Sequence, residues 1–337
     1  MKIKEIFMKN RIVVLLLCSA VLFGFVACKQ KEQQKEVKPV QLRVNHVQSS
    51  MDPVHASLEV WAKNVNARSN NSLELIVYGN AELGNNIDSL EQASMGANII
   101  SIADPGAMAD YVPDYGIMNG PFFVQNNDDL QRLYNTPWHK EMVEKAAAKG
   151  IRVIGMNWFF GPRHLISKRP IKSVQDLKGM RVRVPSVQMW VETFGSLGAV
   201  PTAIAWAEVY SALEQGVVDA AEAPLSTIFT SKLQETAKNL TLTSHFVGIV
   251  GAEMSQKIWE TLTQEQQTIL VEEWEKQGQI YSKGVIDSVE DFKNKLKAEG
   301  VTIIEVDTAP FAEASKATFT KFPEWTAGLY ERVRASF

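Results

Sequence analysis

Cysteine is nearly absent from this chain. Its 337 residues include two cysteines, Cys18 and Cys28, and both lie near the N-terminus. The rest of the chain has no thiol, which excludes a disulfide framework and a cysteine-based metal site there. The five histidines, at positions 46, 55, 139, 164 and 245, show no HExxH or comparable spacing. The usual sequence signatures of a zinc site are therefore missing, and we expect no metal and no cofactor.

Sequence motifs of catalysis are missing as well. The chain contains no GxSxG, GxxxxGK[ST] or GxGxxG motif. A hydrolase with paired carboxylates leaves no local signature, so that class stays open. The chain also has no excess of positive charge: the formal net charge is −3, and it becomes −6 without residues 1–27, which hold four basic and one acidic residue. This charge argues against nucleic-acid binding, and we expect a binding protein rather than an enzyme.

Only one long apolar run occurs, at 12–27, and Cys18, Ser19 and Gly24 interrupt it. It follows a basic segment and ends in Phe-Val-Ala-Cys, which looks like a bacterial lipoprotein signal. We expect residues 1–27 to be a signal peptide and the thiol of Cys28 to carry lipid. An uncleaved membrane anchor is the alternative, but the run is short for a membrane span. Residues 28–39 are polar and are expected to form a flexible tether between the membrane and an extracytoplasmic, periplasmic body.

The body, residues 39–337, alternates between strand-like and helix-like patterns. Its 299 residues exceed one small core and favour two lobes. The strands are predicted at 42–47, 73–78, 98–103, 151–158, 180–184, 217–222 and 240–246. The helices are predicted at 54–69, 86–97, 187–197, 206–215 and 225–237. This alternation with short loops predicts an α/β fold with largely parallel sheets.

One predicted helix is unusually long. Thr263-Gln-Glu-Gln266 resembles a capping box, and apolar residues keep helical spacing from Leu270 to Leu296, before Gly300. Such a helix would extend along both lobes. The alternative is two shorter helices divided near Gly278 or Gly284.

The segment 161–185, GPRHLISKRPIKSVQDLKGMRVRVP, places Arg163 and Arg183 20 residues apart. The planar guanidinium of an arginine can donate two parallel hydrogen bonds to one carboxylate. Arg183 lies at the end of a predicted strand, just before Pro185, where its side chain can be held still. A half-buried strand with a solvated arginine face explains the Met-Arg-Val-Arg-Val-Pro alternation equally well.

Five segments in order along the body resemble one family, the solute-binding proteins of TRAP transporters. They are 42–55, 78–86, 103–123, 161–185 and 198–225, the last reading GAVPTAIAWAEVYSALEQGVVDAAEAPL. The resemblance implies a two-lobed, periplasmic-binding-protein-like type II fold with a long helix spanning both lobes. It also implies lobe I at 40–160 plus about 250–287, and lobe II at 161–249 plus about 288–337.

By the same resemblance, Arg183 grips the carboxylate of the solute and Arg163 is a second arginine of the pocket. The other implied contacts are His46, Asn85, Asn86, Asp104, Trp158, Ser186 and Trp206. Simpler explanations exist for some: a helix cap for Asn85 and Asn86, a core position for Trp206, and a satisfied, half-buried side chain for His46. Glu208 and Glu222 are expected to be structural. Ala223 departs from the family, which often has an asparagine there that helps to hold the carboxylate.

The implied function is that of a receptor for a small organic acid, expected to be a hexuronate or another sugar acid. The implied partners are separate membrane permease subunits of the TRAP transporter. Two alternatives stay open: a ligand-sensing lipoprotein of a signalling system, and a receptor for a C4-dicarboxylate or keto acid.

Overall fold

The computed structural model describes residues 38–337, in which Val40–Phe337 form one compact unit. The expectations for the signal peptide, for Cys28 and for nearly all of the tether lie outside this range. Within it, no helix combines the length and apolar character needed to cross a bilayer. The strands are β1 Val40–Asn45, β2 Leu73–Tyr78, β3 Ile99–Ala103, β4 Ile151–Ser167, β5 Arg181–Val184, β6 Val200–Ala203, β7 Ala220–Ala223, β8 Asn239–Ser255 and β9 Thr302–Glu305.

Helices cover both faces of the sheet that these strands form. The α-helices are α1 Pro53–Arg68, α2 Asn86–Ser94, α3 Pro105–Met108, α4 Asn127–Tyr134, α5 Pro137–Ala148, α6 Gln188–Ser196, α7 Val209–Glu214, α8 Leu225–Thr230, α9 Leu233–Thr236, α10 Gln256–Trp259, α11 Gln264–Asp287, α12 Val289–Ala298, α13 Ala309–Ser315 and α14 Leu329–Arg334. Short 3₁₀ helices lie at Pro113–Asn119, Val174–Leu177, Trp206–Glu208 and Lys316–Thr320.

Two long strands join two α/β halves into one sheet. β4 and β8 each have 17 residues and pair with each other along most of their length. The β1–β2–β3 group attaches to the C-terminal end of β8, whereas β5, β6 and β7 attach to the C-terminal end of β4. The strand order is β2-β1-β3-β8-β4-β7-β5-β6, with β9 beside β8.

The expectation of largely parallel sheets needs a correction, because these strands form a single mixed sheet. Among the described residues, the antiparallel pairings are β3–β8, β4–β7 and β4–β8, and the others are parallel. Every antiparallel pairing thus involves β4 or β8. Both strands continue well beyond the ends predicted from sequence, since they connect the halves instead of ending in a loop.

Local capping chemistry sets where several helices begin. The Asp52 side chain accepts from the Val54 amide and is followed by Pro53 at the first turn of α1. At α11 the Thr263 hydroxyl and the Gln266 side chain form the predicted capping box, with bonds of 3.2 and 2.9 Å. The predicted capping pattern is therefore confirmed.

The long helix does not continue to residue 300. It ends at Asp287, and a separate helix begins at Val289, so the prediction of one helix is wrong and the two-helix alternative applies. The break is at Ser288 rather than at either glycine, and the Ser288 hydroxyl donates to the Val285 carbonyl at 3.1 Å. Such a bond competes with regular helix geometry. α11 alone is about 36 Å long at 1.5 Å per residue.

α11 is fastened to β4 by two stacked indoles and two glycines. The Trp158 and Trp274 rings stack with centroids 4.1 Å apart, and the Trp158 indole N–H donates to the Trp274 carbonyl at 3.0 Å. Each ring lies over a glycine of the opposite element. A Cβ at Gly155 would lie 2.2 Å from the Trp274 Nε1, and one at Gly278 would lie 2.3 Å from the Trp158 Cδ1. The close approach of helix to strand therefore requires both glycines.

This packing predicts opposite effects for the same substitution at two positions of α11. Alanine usually stabilises a helix relative to glycine by about 1 kcal/mol. We expect Gly278→Ala to destabilise the protein by about 1–3 kcal/mol instead, since the methyl group overpacks against Trp158. Gly284→Ala is the matched control, because nothing lies within 4 Å of its new Cβ. Urea denaturation of both variants measures the difference, and a stabilised Gly278→Ala would contradict this account of the packing.

Candidate functional site

A cavity of about 330 Å³ lies between the two halves of the molecule. Its wall includes residues from the loops after β1, β3 and β5, from the start of α2, and from β4 and β7. Seven of the nine predicted contact residues line it: Asn85, Asn86, Asp104, Arg163, Arg183, Ser186 and Trp206. Residues more than 120 positions apart in sequence thus share one site.

Arg183 is a buried cation with unused donors. It is 3% exposed, and its Nε–H donates to the Ile204 carbonyl at 2.8 Å. Within residues 38–337, no acceptor pairs with its two terminal nitrogens and no carboxylate forms an ion pair with it. The guanidinium carbon lies 5.0 Å from the centre of the Trp206 ring. Burial lowers the pKa of Arg183 to about 10, so the side chain is cationic at neutral pH.

The other arginine of β5 has a different environment. Arg181 is exposed and makes a surface ion pair with Asp219, at 2.7 Å. The solvated-arginine explanation of the alternating segment therefore applies to Arg181 and not to Arg183. Val182 and Val184 are buried, as the alternation predicted.

Arg163 is already paired with a carboxylate. Its Nε and Nη2 donate to the two carboxylate oxygens of Glu222 at 2.5 and 2.7 Å. Glu222 is fully buried and also accepts from the Trp190 indole N–H at 3.0 Å, and the Nε2 of His245 is 3.4 Å away. Burial alone would raise the pKa of Glu222. The positive charge and hydrogen bonds of Arg163, together with the nearby His245, outweigh burial and lower this pKa to about 2. The expectation that Glu222 is structural agrees with these contacts.

Asp104 places a carboxyl group in the cavity wall and also begins α3. Its Oδ1 accepts from the Gly106 and Ala107 amides at 2.9 and 3.3 Å. Desolvation raises the pKa of Asp104, and the positive charge of Arg163 opposes part of this rise. Its second oxygen has no partner among the described residues, so it is available to a ligand donor.

Asn85 and Asn86 combine a structural and a lining position. The Asn85 side chain accepts from the Asp88 amide at 3.0 Å, and the Asp88 carboxylate accepts from the Asn85 amide at 3.1 Å. This capping box shows that the helix-cap explanation holds for Asn85. Both residues nevertheless line the cavity.

Two predicted contact residues are not part of the cavity wall. His46 is fully buried, and its Nε2 lies 2.8 Å from the Nδ1 of His55. Burial, together with His55, lowers the pKa of His46 to about 4, so it is neutral at pH 7. Trp158 is fully buried in the stack with Trp274. Their sequence neighbours Val47 and Phe160 line the cavity instead. The pairing of β4 with β8 shifts register on both sides of Trp158, so simple alternation cannot predict which side chain faces the cavity.

The sequence analysis missed Gln48 and Trp190, which also line the cavity. Neither had a signal of its own, because a glutamine after a strand and a tryptophan in an amphipathic helix occur widely. Ala223 lines the cavity as a buried methyl group with no side-chain donor. The departure from the family pattern therefore lies at the site itself.

The two halves also touch each other directly beside the cavity. The Asp52 Oδ2 accepts from the hydroxyls of Thr227 and Thr230 at 2.8 and 3.3 Å. At Gly106, an added Cβ would lie 2.7 Å from the Val187 Cγ1. These contacts hold the walls close enough for one small molecule to reach both.

Residues 44–324 match the family model of the bacterial extracellular solute-binding proteins, family 7 (DctP). The chain belongs to this family. Family 7 proteins are substrate-binding receptors, so this chain is a binding protein and not an enzyme. The two-lobed, type II-like fold expected from sequence is confirmed. The exact lobe boundaries stay a prediction.

Three TRAP periplasmic solute-binding proteins illustrate the similarity. One from Ochrobacterium anthropi, with bound L-fuconate, is 35% identical with a TM-score of 0.86, covering 88% of this chain and 99% of that one. One from Fusobacterium nucleatum, with bound sn-glycerol-3-phosphate, is 33% identical with a TM-score of 0.85 and coverage of 88% and 96%. One from Actinobacillus succinogenes, with bound L-galactonate, is 33% identical with a TM-score of 0.85 and coverage of 88% and 98%.

The Arg163–Glu222 pair predicts how stability depends on pH. We expect Glu222→Gln to lower the free energy of unfolding at pH 7 by about 3 kcal/mol, because it leaves Arg163 buried without a counter-charge. The folded pKa of Glu222, about 2, is below its ordinary value of 4.5. The carboxylate therefore stabilises the protein above pH 4.5, and this contribution is lost as pH falls toward 2.

Urea denaturation between pH 3 and pH 7 measures this difference. Glu208→Gln is the matched control, because Glu208 is exposed and its loss is expected to change stability by no more than about 0.5 kcal/mol. Equal stability of the Glu222→Gln variant and the wild type at pH 7 would contradict the structural role of the pair.

Proposed function

We propose that this protein is the extracytoplasmic receptor of a TRAP transporter and that it binds a polyhydroxylated monocarboxylate, such as an aldonate or hexuronate. The observation that carries the proposal is Arg183, a buried guanidinium whose terminal donors have no partner in the described chain. A buried cation without a counter-charge is costly, and a ligand carboxylate would supply that charge in the geometry that the guanidinium fork prefers.

The charges of the cavity favour one carboxylate over two. Glu222 already neutralises Arg163, so Arg183 is the cation left for a ligand. The second carboxylate of a C4-dicarboxylate would lie near Asp104, with no further cation to neutralise it among the described lining residues. Hydroxyl groups, in contrast, donate to Asp104 and to the side chains of Asn85 and Asn86. Trp206 offers an apolar face beside Arg183 for the carbon chain.

The relatives support an acid of this kind. Proteins 35% and 33% identical to this chain hold L-fuconate and L-galactonate, which are both sugar acids with one carboxylate. The ligand of another relative, sn-glycerol-3-phosphate, also combines hydroxyl groups with one anionic group, but that group is a phosphate instead of a carboxylate. A polyol phosphate is therefore the second candidate for this cavity.

Closure of the two lobes would link ligand binding to transport. A ligand that contacts Arg183 on one side and Asp104 on the other stabilises the closed form, because only that form offers both contacts. The receptor would then deliver its ligand to separate membrane permease subunits. The lipoprotein-like segment ending at Cys28 supports anchoring of the receptor to a membrane by lipid. A sensory lipoprotein would use the same binding chemistry. Permease genes next to the gene for this protein would distinguish transport from sensing.

The proposal predicts a large effect at Arg183. We expect Arg183→Ala to weaken binding of the carboxylate ligand about 30-fold or more, because losing one partner of a buried charge pair costs about 2–5 kcal/mol. Arg183→Lys should recover only part of the affinity, since the planar fork is lost. Isothermal titration calorimetry measures both variants. Arg181→Ala is the matched control from the same strand, and it should bind normally because Arg181 is exposed and paired with Asp219. Unchanged affinity of Arg183→Ala would refute the anchor.

The ligand class is tested by a thermal-shift screen of organic acids. We expect aldonates and uronates to raise the melting temperature, because ligand that binds only the folded state stabilises it. Succinate, malate and keto acids should give no rise, since their second polar group lacks a suitable partner. A rise with a dicarboxylate or keto acid and none with any sugar acid would overturn the ligand assignment and leave the receptor function intact. A rise only with glycerol phosphates would favour the second candidate.

A further inference from the structure

A second, smaller chamber of about 40 Å³ lies against the main cavity. The two spaces share six wall residues: Gln48, Asn86, Asp104, Phe160, Arg163 and Trp190. The chamber is closed on its other sides by Asn119 and by residues of β3 and β8. Its volume suits one water-sized polar group, not an aromatic ring or a second anionic headgroup.

Two buried polar atoms of the chamber wall have no hydrogen-bond partner among the described residues. They are the Asn86 Oδ1, an acceptor, and the Asn119 Nδ2, a donor. Buried polar groups in folded proteins are nearly always paired, and an unpaired one costs free energy. An unpaired acceptor and an unpaired donor in one small chamber therefore point to a polar guest.

The orientation of Asn119 is fixed by its own hydrogen bond. The Gly106 amide donates to the Asn119 Oδ1 at 2.7 Å, which leaves the amide nitrogen as the side with unused donors. Asn119 is 1% exposed, so its donors are available only inside the protein. Gly106 belongs to the same turn that Asp104 caps, which ties the position of Asn119 to the cavity wall.

The unpaired buried atoms of the wall include both an acceptor and a donor. Asn86 presents a carbonyl oxygen and Asn119 an amide nitrogen, and Asp104 has a second carboxylate oxygen without a partner in the described chain. The oxygens of a carboxylate or phosphate could only accept, whereas a hydroxyl donates to one of the wall oxygens and accepts from Asn119. The wall is therefore complementary to a hydroxyl group.

We propose that this chamber is a hydroxyl subsite that receives the end of the sugar-acid chain remote from the carboxylate, with Asn119 as its specificity-determining residue. The inference rests on the proposed function, because it assumes a sugar acid anchored at Arg183. It adds the position at which the protein distinguishes a hydroxymethyl group from a methyl group.

Two ligands that differ only at this end provide the test. L-Galactonate ends in a hydroxymethyl group, and L-fuconate has a methyl group there. Calorimetry should show that wild-type protein binds L-galactonate about five- to tenfold more tightly than L-fuconate, the ratio expected for a hydrogen bond lost inside a protein. Asn119→Leu keeps a similar size and removes the donor without adding a charge, and the Gly106 amide keeps its bond to the Asp104 Oδ1 at 2.9 Å. It should weaken L-galactonate binding about tenfold and change L-fuconate binding by less than about threefold, so that the preference disappears.

Two further variants complete the design. Asn294→Leu introduces the same change on the exposed face of α12 and should leave both affinities unchanged. If Asn119→Leu does not fold, Asn86→Leu removes the unpaired acceptor with little change in size and should reduce the same preference.

The outcomes separate the two proposals. Binding of both ligands through Arg183 with equal affinity, or a preference that survives both chamber variants, would overturn the subsite and mean that the chamber holds only water. Failure of the wild type to bind either acid would contradict the sugar-acid assignment and the subsite with it.

Discussion

The site depends on the burial of two guanidinium groups against one buried carboxylate. Glu222 neutralises Arg163 and accepts from the Trp190 indole N–H, so one carboxylate ties β7 to β4 and α6. Desolvation of the charges would make this arrangement unfavourable without such complete pairing. Because Glu222 is fully engaged, it cannot also serve Arg183. Among residues 38–337, Arg183 is therefore left in the cavity without a counter-charge.

Features with a local cause were predictable from the sequence. β2 begins and ends at the predicted residues, since a short apolar run rich in β-branched residues and closed by a glycine favours a strand directly. The capping box of α11 was read from two residues three positions apart. Arg163 and Arg183 were found because their segment resembles the arginine segment of the TRAP family. The alternation of the strand alone did not identify them, since Arg181 of the same strand is a solvated arginine.

Features that depend on tertiary packing were not predictable. Nothing in the spacing of apolar residues shows that the helix breaks at Ser288, because the helical spacing continues from one helix into the next. Trp158 was assigned to the ligand, but its ring is committed to Trp274, more than 100 residues later in the chain. Asn119 carried no pattern at all. Its importance arises only because the Gly106 amide, 13 residues earlier, fixes which side of its side chain remains unpaired.

The replacement of asparagine by Ala223 changes the balance between the two ends of a bound acid. In the proposed binding mode, the methyl group of Ala223 replaces the side-chain donor that the family resemblance implies at this position, and the fork of Arg183 becomes the principal partner of the ligand carboxylate. Free energy of binding that is not available at the carboxylate has to come from the rest of the ligand. The acceptors around Asp104 and the donor of Asn119 are placed to provide it. Because a hydrogen-bonding site discriminates strongly against a ligand that lacks the matching group, selectivity in this receptor should shift from the charged end of the ligand toward its hydroxyl groups.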